Sequence, residues 1–111
     1  MLPDPHARRR TLVESLAMAA RPAEEQLSAL PRGAAAQLRH IHEDVAHLAP
    51  ELRAAGLLDG EAFRRLAAFD LHHEAMAEDD ALWTDEALSA DPRWEESRSL
   101  AAAALAAAAD A

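Results

Sequence analysis

Apolar positions recur at helical spacing in two neighbouring stretches. Leu38, Ile41, Val45, Leu48 and Leu52 are separated by three, four, three and four residues, the seam of a packed helix. Ala62, Leu66, Phe69, His73 and Met76 follow at four, three, four and three, so a histidine occupies a core-facing slot. Gly56 is a natural left-handed terminator for the first stretch, and Asp59 a cap for the second. So short a link makes the two arms antiparallel neighbours. The expectation is therefore a helical hairpin from Ala34 to Trp83. Pro50 falls inside the first arm, where it should kink a continuous helix rather than divide it.

The flanks carry their own start and stop signals. Asp4-Pro5 pairs a capping carboxylate with a proline at the first helical position, opening a helix that runs to about Ala20. Arg21-Pro22 ends or kinks that helix, and Ala23 to Leu30 forms a short second piece before Pro31-Arg32-Gly33. After the hairpin, Thr84 caps a single turn, Thr84 to Ser89. Asp91-Pro92 opens the last helix. Residues 1–4 are expected to be a loose tail. The alanine-rich C-terminal end is expected to fray, because alanine forms helix well but has little to bury. The sum is an all-α chain: a small antiparallel helical bundle of three to four helices around a central kinked hairpin, in one domain over residues 1–111.

Composition narrows this further. Strand-favouring residues are nearly missing, while alanine, leucine, arginine and glutamate dominate. All cations are arginine, which together with the alanine excess fits GC-rich codon usage and a bacterial source. The net charge of −9 argues against nucleic acid, whose phosphates need clustered cations, and leaves a protein partner or a homo-oligomer as the expected association. The absence of cysteine excludes disulfides and thiolate sites and is compatible with a reducing cytoplasm, the expected location. No apolar segment approaches the ~20 residues that span a bilayer, so no membrane partner is expected. Arg8-Arg9-Arg10 reads as the basic first turn of an amphipathic helix rather than an export signal, since Glu14 interrupts the apolar run behind it.

Chemistry is limited by what is missing. There is no glycine-rich phosphate loop and no serine on a strained turn, and the serines read as helix or cap residues. No catalytic set is visible, and the chain is expected not to be an enzyme. Trp83 and Trp94 flank the Thr84 turn and should clamp the last helix to the bundle.

Histidine and carboxylate are what remain. His40, Glu43 and His47 lie on a face turned away from the Leu38 seam and read as a solvated row. His73 differs, because its slot is apolar. In an antiparallel hairpin turning at Leu57-Leu58, His42 falls opposite His73, with Asp70 one turn before His73 and Glu74 next to it. Imidazoles plus carboxylates in one pocket suit a divalent metal such as zinc. His42, Asp70, His73 and Glu74 are thus the candidate ligands. Metal binding stands as the alternative to a cofactor-free bundle that acts by protein contact.

The text LRHIHEDVAHL followed by LHHEAMAEDDALW resembles haemerythrin-like cation-binding domains, which are four-helix bundles. The resemblance implies a metal centre between helices. The sequence departs from that pattern where a glutamate should follow histidine by four residues: Met76 follows His72 and Ala77 follows His73. The last helix, from Trp94, has no histidine at all.

Overall fold

A computed structural model describes residues 4–109, and among these residues every regular element is helical. Helix α1 spans Pro5–Ala20, α2 Ala23–Ala29, α3 Ala34–Ala54 and α4 Gly60–Met76. A single 3-10 turn at Asp80–Leu82 follows, then α5 Asp85–Ala90 and α6 Pro92–Ala109. Of the expected tail at residues 1–4, residues 1–3 lie outside the described residues, as does the end at 110–111.

The predicted signals act where they were placed. The Asp4 carboxylate accepts from the His6 N–H, Asp59 from Ala62, and Thr84 from Ala87, each satisfying an amide that the first helical turn leaves free. Gly56 adopts φ 78°, the left-handed geometry that ends α3. Helix α3 is continuous across Pro50, whose ring is exposed. The Ala46 carbonyl, which has no N–H at position 50 to accept from, lies at this level.

The long helices pack in four neighbouring pairs: α1 with α3, α3 with α4, α4 with α6, and α6 with α1. Their interior divides into two apolar clusters. One joins Leu12 and Leu16 of α1, Val45 and Leu52 of α3, Leu66 and Phe69 of α4 and the alanines of α6. The other gathers Leu38, Met76, Leu82, Leu88 and Trp94.

Two expectations about the core need correction. Ala101, Ala104 and Ala108 are fully buried, so the alanine-rich end does bury surface through residue 108. Alanine there is paired with large neighbours: the leucines of α1 and α4 fill the space that small side chains leave, and the helices approach closely. Ile41 and Leu48, placed in the core by their spacing, are only half-buried at its margin. Their side of α3 faces past its neighbours.

Arginine closes several helix ends. Arg9 donates to the Ala108 carbonyl at 2.6 Å, Arg53 to Leu58 at 2.9 Å and Arg98 to Leu88 at 3.1 Å. The Ala108 and Leu88 carbonyls lie in the last turns of α6 and α5, where no amide of the helix remains to pair with them, and that of Leu58 lies in the turn between α3 and α4. Gln26 does the same from inside, its Nε2 donating to Met18 and Ala19 at the end of α1 while the residue is 1% exposed.

Candidate functional site

A polar layer separates the two apolar clusters. On α3, His42 lies between Leu38 and Val45; on α4, His73 lies between Phe69 and Met76; on α6, Ser97 lies between Trp94 and Ala101. Each helix places one polar side chain at the same level, and helical spacing turns it toward the same interior.

His73 is the centre of this layer. It is 3% exposed, and the rings of His42, Phe69, Trp83 and Trp94 surround it with centroids 4.5, 4.7, 6.3 and 5.8 Å away. Its Nε2 meets the Ser97 Oγ at 2.6 Å, and Ser97 is itself 2% exposed. The Nδ1 atom is buried and, among the described residues, has no hydrogen-bond partner. A tautomer with the proton on Nε2, donating to Ser97, leaves Nδ1 as a bare acceptor; the opposite tautomer would strand an N–H, the costlier arrangement. Burial pushes the His73 pKa down to about 3, and the nearby His42 and His72 push in the same direction. This imidazole is neutral at physiological pH.

His42 sits at the rim. Its ring stacks on His73 with planes 16° apart, and its Nε2 donates to Asp70 Oδ1 at 2.6 Å. His72 turns outward and donates to the Arg93 carbonyl at 2.8 Å, tying α4 to the start of α6. Trp94 donates from Nε1 to the Leu82 carbonyl and packs edge-on against Trp83, clamping the last helix to the 3-10 turn. The guanidinium of Arg39 covers the Trp83 ring from 5.0 Å.

Of the four residues singled out from sequence, the structure brings three together: His42, His73 and Asp70. Glu74 is exposed and its side chain, among the described residues, forms no hydrogen bond or ion pair. Next in sequence to the buried His73, it lies about 100° around the helix, on the outer surface of α4. Among the described residues no group of three or more histidine, aspartate or glutamate side chains is placed to hold a metal ion. The physical reason lies in the stacking. Imidazole lone pairs lie in the ring plane, so two nearly parallel rings direct them side by side rather than at a common point. The His40–Glu43 and His47–Glu51 contacts on α3 are 3.5 and 3.7 Å apart on an exposed face, as solvated pairs.

Two residues escaped the sequence reading. Ser97 belongs to a seam of Trp94, Ser97, Ala101, Ala104 and Ala108, and a serine in a row of small residues gives no periodic signal of its own. Gln26 lies in a helix too short to reveal a face.

Two depressions lie away from His73. The larger, of about 490 Å³, opens between the start of α1 and the α3–α4 turn, lined by His6, Arg9, Arg53 and Asp59. Both guanidiniums there already hold backbone carbonyls, and Asp59 caps α4. The smaller, of about 110 Å³, is an apolar groove between α3 and α4, lined by Ala46, Ala49, Pro50, Phe63, Ala67 and Asp70 among others. Comparison with protein families, with curated proteins and with solved structures finds no match. Among the described residues no helix is long and apolar enough to cross a membrane.

Proposed function

We propose that the chain is an antiparallel four-helix bundle that performs no enzymatic chemistry and acts by contact with protein, through the outer face of α4. The observation that carries this reading is Leu71. Among the described residues it is the one large hydrophobic side chain left exposed, at 65%, and it stands at the middle of α4's outer face with Ala67, Ala68 and Ala75 around it. An apolar centre with charged residues beyond it has the anatomy of a contact patch. The interior supports the same reading: His73 and Ser97, the pair with nucleophile-and-base chemistry, are sealed from any substrate by the rings about them. A cysteine-free chain fits a reducing cytoplasm.

A photo-reactive amino acid placed at position 71, and separately at position 47 on the outer face of α3, tests this in cells making the protein. The expected result is protein adducts from position 71 at several-fold higher yield than from 47. Equal yields, or none from 71, would overturn it.

Divalent-metal binding is the second reading, favoured by the closeness of His42, His73 and Asp70. Binding would require both rings to leave their stack. Metal analysis of protein purified without a nickel column separates the two readings: stoichiometric zinc lost on His73→Ala would establish the second.

A further inference from the structure

The outer face of α4 is complementary to itself. Around Leu71 the helix exposes Arg64, Ala67, Ala68, Glu74 and Ala75, opposite the buried row of Ala62, Leu66, Phe69, His73 and Met76. The N-terminal half of this exposed stripe ends in a cation and the C-terminal half in an anion. Two copies laid antiparallel therefore bring unlike charges together, whereas parallel copies would oppose like charges. The stripe also carries both a projection and a recess. Leu71 stands out from it, and one turn back Ala67 forms the edge of the groove between α3 and α4, which has room for one aliphatic side chain.

We propose that the partner of this face is a second copy of the chain, joined about a two-fold axis that runs between the two α4 helices at the level of Ala68 and Phe69. This rests on the reading of α4's outer face as a contact surface and names what covers it. A two-fold makes every contact twice, so projection and recess must lie on the same patch at equal distances from the axis. They do so in one register. With the axis at that level, Leu71 of each copy meets Ala67 and the groove behind it, and Arg64 meets the partner copy's Glu74. At the crossing point stands Ala68, a side chain small enough for the helices to approach closely.

The charges fit this register. Among the described residues Glu74 has no ion-pair partner, and Arg64 pairs with Glu61 one turn before it. Residues 74–96 hold nine of the twenty acids and one of the eleven arginines, a net of −8 out of −9 for the chain. Antiparallel pairing of α4 sends these acidic segments to opposite ends of the dimer, where they repel least.

Sedimentation velocity from about 5 to 500 µM, the range in which a small single-helix interface exchanges, reads the association directly. The expected result is a monomer–dimer equilibrium whose Kd rises more than about tenfold in Leu71→Glu, the loss typical of a central anchor. Arg64→Glu or Glu74→Arg alone should weaken the dimer, and the two together should restore it. The chain has no cysteine, so Ala68→Cys introduces a single thiol. Oxidised glutathione should convert it to a disulfide-linked dimer far faster than the same change at exposed Ala106 on α6. These positions are exposed, and thermal melts will report whether each variant keeps its fold. A chain that stays monomeric throughout, a dimer indifferent to Leu71→Glu, or equal cross-linking at 68 and 106 would each overturn the self-partner. If the chain is monomeric while position 71 still cross-links to other proteins, the contact surface stands and only its partner is wrong.

Discussion

Helices α3 and α4 are neighbours, of similar length, and each turns one histidine toward the other, yet their outer faces are opposites. That of α3 carries His40, Glu43, Asp44, His47 and Glu51, paired along the helix in water. That of α4 carries Ala67, Ala68 and Leu71 between Arg64 and Glu74, with Ala75 just beyond. Solvation explains the first face completely, because each charge is hydrated and each i, i+3 or i, i+4 pair adds a few tenths of a kcal/mol. It does not explain the second. An exposed leucine in mid-helix does nothing for folding that glutamine would not do as well. Inside, the difference is narrower: Val45 and Leu52 of α3 are as buried in the first cluster as Phe69 and Leu66 of α4, but Leu48 of α3 only borders it.

The largest expected effect tests that inner asymmetry. Phe69→Ala on α4 should cost ~3–5 kcal/mol, the range for a fully buried aromatic, and Leu48→Ala on α3 roughly 1–2 kcal/mol, because part of its surface is exposed already. Urea melts of the two variants would check this. Equal losses would mean the arms contribute alike and the seam of α3 is better buried than its margin position implies.

The polar layer should show itself in pH. Folding keeps a proton off His73, so between pH 6.5 and about 3 the unfolded chain binds more protons than the folded one. Its contribution is therefore whole above pH 6.5 and is lost as pH falls, by about 2 kcal/mol at pH 5. Melts of the protein and of His73→Gln across that range should converge as acid is added. Parallel curves would mean His73 titrates normally. Ser97→Ala, which removes the one hydrogen-bond partner of the His73 ring, should cost about 1–3 kcal/mol. On the α3 side, Asp70→Asn should cost under about 1 kcal/mol, since the His42–Asp70 contact lies at a part-exposed rim.

The smallest effects concern the outer faces. Glu43→Gln on α3 and Leu71→Gln on α4 should both leave stability within about 0.5 kcal/mol, as surface substitutions do. Only the second should alter association.

Much of the framework was legible because it is written locally. Asp4-Pro5, Asp59 and Thr84 act on amides two or three residues away, and the Leu38 and Leu66 seams repeat often enough to fix a face. The nearness of His42 and His73 followed from hairpin geometry, since helix rise is regular on both sides of a short turn. What lay beyond reach depends on contacts distant in sequence. Ser97 is a ring partner only because α6 lies beside α4, and Ala101, Ala104 and Ala108 are core only because leucines oppose them. Glu74 faces solvent for a local reason: the residue next to His73 lies about 100° around the helix from that buried slot. Ring orientation, on which metal binding turns, leaves no trace in spacing.

The contrast between the two outer faces is tested most directly by amide chemical shifts of the isotopically labelled protein, recorded dilute and then concentrated. Shifts that move with concentration at residues 64–75 of α4, while Glu43, Asp44 and His47 of α3 stay fixed, are the predicted result. Movement on α3 with α4 unchanged, or none on either helix, would contradict it.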